Sequence, residues 1–175
     1  MLVGPVLMGV KGWEQPESSR VLLLRMRGLI VHDEAMKDYP VLIEIPVQWG
    51  EMDALGHVNH ARIVTWMETA RMALFDRIGL AAVGQPTIGP ILANVNVNYF
   101  APIHYPARIV SATRVSKVGR TSFTLEYGIS YAETPQDLLA GGTTVIVLYD
   151  YQAQSKTPVP DALRMAMANL HGTTF

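Results

Sequence analysis

One apolar stripe at helical spacing sets the main limit on how this chain can fold. Ile63, Met67, Ala70, Leu74 and Ile78 recur every three or four residues, and Trp66 and Ala73 widen the stripe. That period predicts one amphipathic helix of about five turns. Asn59 is the expected N-cap and Gly79 the expected stop. No other helix in the patterned part of the chain is long enough to cover a sheet, and what surrounds this one reads as strand. Val41, Ile43, Ile45, Val47 and Trp49 alternate with Leu42, Glu44, Pro46 and Gln48, and Pro46 places that strand at an edge or a bulge. After a loop at Gly84–Pro90, Ile91, Ala93, Val95, Val97 and Tyr99 alternate with Leu92, Asn94, Asn96, Asn98 and Phe100. Residues 107–118 and 121–131 flank a Gly119–Arg120 turn and predict a hairpin. Residues 138–151 form a further strand, with Gly141–Gly142 marking a bulge or a close approach. Asp161–Leu170 is a short terminal helix. One helix and a run of antiparallel strands pack most economically with the sheet wrapped around the helix, an α+β architecture.

The chain has 175 residues, 49% of them apolar, which suffices for one domain with a real core. The formal charge of −1 carries no basic excess, which argues against a dedicated nucleic-acid binder. There is no cysteine, so disulfides, a thiol nucleophile and thiolate metal sites are excluded. That suits a reducing, cytoplasmic location. No apolar run approaches the roughly 18–20 residues of a membrane span. Residues 1–35 lack the period of the rest and read either as an N-terminal extension, docked or mobile, or as translated upstream sequence before Met36, so the domain is placed at 36–175. Its start, Met1–Val10, has no basic n-region and makes a poor signal peptide.

The chemistry-bearing segment is GEMDALGHVNHARIVTWMETAR, Gly50 to Arg71. An acidic residue, a glycine turn and a helix start arrive within a few residues of one another. The first helical turn presents backbone N–H groups without intrahelical acceptors, which suit a developing oxyanion. A carboxylate just upstream can activate water or attack a carbonyl beside the same spot. Thioester hydrolysis needs little else, because the thiolate leaves readily. An Asp in this position is also a common turn former, so the spacing alone leaves both roles open.

The constellation Asp53, Gly56, His57, Val58, Asn59, His60 and Ala61, with Glu68 and Arg71 on the helix, resembles the signature of the 4-hydroxybenzoyl-CoA thioesterase-like family of hotdog proteins. The likeness runs from about residue 40 to about residue 165 and includes Asn98–Pro102, Val118–Ser122 and Pro158–Leu163. It implies a hotdog fold, a strongly bent antiparallel sheet around one long helix, and hydrolysis of acyl-CoA thioesters without a cofactor or metal. Asp53 matches the catalytic carboxylate and Gly56 the tight-turn glycine. His60 matches the helix-start position whose amide polarises the thioester carbonyl. Three positions depart from the pattern: Glu51 stands for the usual first Asp, His60 for the second Asn, and Ile63 for a common Tyr. These leave the reaction type and blur the substrate. The resemblance also implies at least a homodimer, joined edge to edge with sites at the subunit boundary, and a tetramer is compatible with it.

His57, Asn59, Ser122 and Arg120 are the candidates for contacting substrate. His57 and His60 with Asp53 have metal-ligand chemistry, but His57 reads better as holding the turn. Ser122 has no G-x-S-x-G elbow around it and reads as a hydrogen-bond partner rather than a nucleophile. Arg114, Lys117 and Arg120 surround the hairpin turn, where they suit CoA phosphates or a solvated tip equally. Glu68 and Arg71 form an i, i+3 pair that reads first as a simple ion pair on the helix surface and otherwise as a brace for the active-site loop or the subunit contact. Asn94, Asn96 and Asn98 share a strand face that fits a polar pocket, an interface or solvent. Two rivals use the same fold: a non-catalytic acyl-CoA or acyl-carrier-protein binding module, and a hydratase or dehydratase.

Overall fold

A computed structural model describes residues 36–80 and 87–172. The N-terminal extension, at residues 1–35, lies outside the described residues, as does most of the loop after the long helix.

Strand β1 (Val41–Pro46) is followed by a single 3-10 turn at Trp49–Glu51 and then by helix α1 (His60–Arg77). Strands β2 (Ile88–Tyr99), β3 (Arg108–Val118), β4 (Ser122–Tyr131), β5 (Thr134–Asp150) and the short β6 (Ser155–Lys156) come next, and helix α2 (Asp161–His171) closes the order. The sheet runs β1-β3-β4-β5-β2, with β6 paired to β5, and every pairing is antiparallel. This is the hotdog architecture that the sequence implies: a curved sheet with one long helix on its concave face.

The α1 stripe makes the core. Ile63, Trp66, Met67, Ala70, Leu74, Phe75 and Ile78 are buried, against Ile109, Val115, Phe123, Leu125, Ile129 and Ile146 of the sheet. Phe75 meets Phe123 edge to face, with ring centroids 6.2 Å apart. Asn59 caps α1 as expected, its Oδ1 accepting from the Ala61 N–H at 3.0 Å. Gly79 ends the helix with φ +69°, a conformation open to glycine. Helix α2 lies against β3, and the His171 ring accepts a hydrogen bond from the Val115 amide at 2.9 Å.

Several sequence expectations shift. The first strand, expected to run to Trp49, ends at Pro46, with Trp49 in the 3-10 turn, and β5 begins at Thr134, four residues before the expected start. The loop expected to run to Pro90 ends earlier, because β2 already begins at Ile88. The alternation expected along β2 also breaks. The register slips between Leu92 and Asn94, leaving Ala93 as an extra residue. Residues before the slip therefore change face: Leu92 pairs with the buried Ile146 and joins Val95, Val97 and Tyr99, while Ile91 joins the three asparagines. Gly142 sits opposite Val97, and a Cβ there would stand 2.2 Å from the Asn96 carbonyl oxygen. The Gly141–Gly142 pair thus marks a close backbone approach.

The two edges of the sheet differ. β1 is blunted by Pro46, which donates no ladder bond, and by the Glu44–Arg108–Glu133 ion cluster. β2 is twelve residues long and exposes Ile88, Ile91, Leu92 and Tyr99. The convex face is covered in part by the segment before β1. Met36 and Tyr39 pack over Gly128, and Tyr39 stacks under Arg114 at 5.0 Å.

Candidate active site

The segment between β1 and α1 folds back on itself. Met52 bridges Val58, and the Asp53 amide donates to the His57 carbonyl at 2.8 Å. Gly56 turns the chain with φ +80° and donates to the Asp53 carbonyl at 3.1 Å. Within this turn Asp53 Oδ1 accepts the Leu55 N–H at 2.8 Å, an Asx turn that fixes the carboxylate's direction. Its other oxygen accepts no hydrogen bond among the described residues.

The turn is tied to its surroundings. Asn59 N–H donates to the Glu51 carbonyl at 2.8 Å. Glu51, which replaces the resemblance's first Asp, is spent on structure: its carboxylate accepts from the Gln48 amide at 2.8 Å and from the Trp66 indole at 3.3 Å. The Trp66 carbonyl in turn accepts from the buried Ser111 hydroxyl at 3.1 Å. The start of α1 is thereby fixed to both the turn and the sheet.

Of the first amides of α1, Ala61 N–H is taken by the Asn59 side chain and Arg62 N–H by the Asn59 carbonyl. That leaves the His60 amide without an acceptor among the described residues. The His60 ring meets Tyr99 edge-on at 6.4 Å, and the Tyr99 hydroxyl donates to the His60 carbonyl at 3.3 Å.

Asp53, His57 and His60 line one open cleft of about 370 Å³. Its apolar walls come from Val58 and Ile63, from Leu139 and Ala140 of β5, and from the stretch Tyr99–Ile103 that follows β2. The cleft therefore joins a carboxylate, two imidazoles and the start of a helix to an apolar chamber. Gly56 and Asn59 do not line it: Gly56 turns the chain between Asp53 and His57, and Asn59 caps α1.

Ser122 and Arg120 are not brought to this cleft. Ser122 pairs with Val147, seven residues along β5 from Ala140, a separation of roughly 24 Å at strand spacing. Arg120 lies in the adjacent turn, where its carbonyl accepts from Val159 N–H at 2.8 Å. Arg114 is committed elsewhere, to Glu126 at 2.8 Å and to the Tyr39 ring. The Glu68–Arg71 pair forms at 3.0 Å, but Arg71 is buried while Glu68 is exposed, and Arg71 Nη1 has no hydrogen-bond partner among the described residues. Nearby, burial pushes the Tyr127 phenol up, while its bond to Thr144 and the adjacent Arg71 act the other way. Asn94, Asn96 and Asn98 are exposed on β2. Among the described residues no three His, Asp or Glu side chains gather as a cation site.

One residue absent from the sequence reading stands beside the turn. His104, in the β2–β3 connection, places its Nδ1 3.1 Å from the Gly56 carbonyl oxygen, and its ring lies 5.2 Å from that of His57.

An antiparallel sheet bent around one helix, with a carboxylate turn at that helix's start, defines a hotdog-fold protein. The chain belongs to the thioesterase-like superfamily, whose family profile matches residues 47–167. It is similar to YneP of Bacillus subtilis, provisionally assigned as an acyl-CoA thioesterase, at 27% identity over 112 residues, 63% of this chain and 80% of that protein. Among solved structures, the PA2801 protein of Pseudomonas aeruginosa superposes with a TM-score of 0.69 at 32% identity, covering 74% of this chain and 99% of that one. A thioesterase from Thermus thermophilus, solved with coenzyme A and Zn, gives a TM-score of 0.68 at 27% identity, covering 80% of this chain and all of that one (100%). The chain is accordingly a thioesterase.

Proposed function

We propose that this enzyme cleaves acyl-CoA thioesters to a carboxylic acid and free CoA, with Asp53 as the reacting carboxylate. The reading is carried by Asp53 and His60 lining one cleft with apolar walls, Asp53 with one carboxylate oxygen and His60 with its amide unclaimed among the described residues. The thioester carbonyl oxygen is held by the His60 N–H, so the charge that develops on it meets a preorganised donor. Asp53 then takes a proton from water as that water attacks. Alternatively it attacks the carbonyl itself, giving an anhydride that water opens. In both routes the C–S bond breaks and CoA leaves as thiolate. The acyl group occupies the chamber formed by Val58, Ile63, Ile103 and Leu139. His57, which lines the cleft, is placed to touch substrate, while Asn59 contributes through its cap on the start of α1.

Within this reading the enzyme acts as a homodimer joined along β2. That edge is the long, apolar one, and it runs straight into the cleft wall at Tyr99 and Phe100. Residues 36–175 are the catalytic domain. Any contact of Arg120 or Ser122 with substrate comes from the opposite end of the sheet and requires the second subunit. No helix among the described residues is long and apolar enough to cross a membrane, and the absence of cysteine fits a cytoplasmic enzyme.

The test is a panel of acetyl-, hexanoyl-, decanoyl- and benzoyl-CoA, with crotonyl-CoA as a hydration substrate. Release of free CoA thiol without hydration is expected. Hydration of crotonyl-CoA, or tight binding of the esters without thiol release, would replace this reading by a hydratase or a binding module.

A further inference from the structure

We infer that His104 is a positioning residue for this reaction, holding the Asp53 turn in its working geometry through the Gly56 carbonyl. The inference rests on the reading of Asp53 given above. The Asp53–Val58 turn is closed by its own hydrogen bonds, yet its tip residues Ala54, Leu55 and Gly56 are exposed. The connection between β2 and β3 grips it from outside at two adjacent points. Ile103 carbonyl accepts the Val58 N–H at 2.8 Å, and His104 Nδ1 lies 3.1 Å from the Gly56 carbonyl oxygen.

A carbonyl oxygen only accepts, so Nδ1 carries the proton and donates. The donor is set from behind as well, because the His104 amide donates to the Tyr131 hydroxyl at 3.3 Å. Gly56 is the residue whose positive φ reverses the chain, and its own amide bonds back to the Asp53 carbonyl. Tension or slack at the Gly56 carbonyl is therefore passed to Asp53 across a single turn. The ring of His57, which lines the cleft, lies tilted beside that of His104, with centroids 5.2 Å apart.

His104 does not itself line the cleft. Its effect falls on the alignment of the carboxylate with the ester, which is felt in the transition state more than in binding. Losing the Nδ1 donor should therefore lower kcat and leave KM nearly unchanged.

Three substitutions separate the donor from the ring. His104→Asn keeps an N–H donor close to the Nδ1 position and has no ring. His104→Phe keeps a ring against His57 and has no donor. His104→Gln carries its donor one bond further out. Steady-state thiol release from the four saturated and aromatic CoA esters named above is measured for each, in the full chain. The expected result is a fall in kcat of about tenfold for His104→Phe and His104→Gln, with KM within about twofold, and recovery to within about threefold of the parent for His104→Asn. In an Asp53→Asn background, His104→Phe should cost almost nothing further, since both act through one carboxylate.

Equal loss in His104→Asn and His104→Phe would overturn the inference, as would a loss carried by KM. Unchanged activity in His104→Phe, with Asp53→Asn inactive, would overturn it while leaving Asp53 in place. Full activity of Asp53→Asn would instead remove the reading beneath it. If His104→Phe fails to fold, the contrast between His104→Asn and His104→Gln decides by the same criteria.

Discussion

Asp53 owes its direction to a single hydrogen bond inside its own turn, and this makes the position unusually open to testing. The Leu55 N–H needs only an acceptor at Oδ1, which an asparagine also provides. Gly56 is the other residue on which the turn depends. Nothing lies within 4 Å of a Cβ built there, so the sole obstacle to a side chain is φ +80°. Gly56→Ala is expected to lower stability by about 1–2 kcal/mol, read from the urea midpoint. It should lower kcat with little change in KM, because the strain is relieved by moving Asp53. These residues were legible in the sequence for local reasons. A left-handed glycine, an N-cap asparagine and a carboxylate before a helix are all dictated by neighbours a few positions away. His104 was not legible. It meets Gly56 from 48 residues further along the chain, and no period or motif in the connection marks it. Ser122 and Arg120 show the converse: a turn motif placed them near substrate, whereas the register puts them at the far end of this chain's sheet.

Among the elements, β2 and β5 show what alternation in a sequence can and cannot convey. The strands, the hairpin and the single covering helix follow from their periods. The face of each β2 residue does not, because one inserted residue at Ala93 exchanges the two faces. Apolar residues stand on both sides of that slip, so nothing in the pattern announced it. The adjacent glycine pair was a better signal. Gly142 lies where a methyl group would press into the Asn96 backbone at 2.2 Å. Backbone cannot swing aside as a side-chain tip does, so Gly142→Ala should cost about 2–3 kcal/mol or pry β2 from β5. Chemical denaturation of the variant gives the first number. Amide hydrogen exchange along Val95–Asn98 reads the second, and protection equal to the parent's would show that the strands accommodate the methyl. The helix carries its own anomaly in Arg71, buried with one nitrogen unpartnered among the described residues and a single exposed carboxylate as its ion-pair partner. Its i, i+3 spacing gave the pairing and gave no sign of the burial.

For the molecule as a whole, the contrast between the edges has a functional consequence. β1 is closed to further pairing by proline and charge, whereas β2 offers a long apolar edge that ends at the cleft. If subunits join there, assembly and catalysis are linked. Leu92→Glu puts a charge on that edge, about seven positions from Tyr99 and well away from Asp53. It is expected to shift the protein to monomer in sedimentation velocity and to reduce turnover in parallel. A parent chain that is monomeric at micromolar concentration, yet fully active, would separate the two. Assembly lay beyond what the sequence pattern could state. Periodicity reports which face is buried within one chain and is silent on what covers an edge.

The account stands most directly on the rate at which Asp53→Asn releases CoA thiol from the ester that the parent turns over best. The substitution keeps size and turn geometry and removes the charge, so the prediction is a folded protein that binds the ester and whose kcat is at least about a hundredfold lower. A kcat equal to the parent's would contradict it.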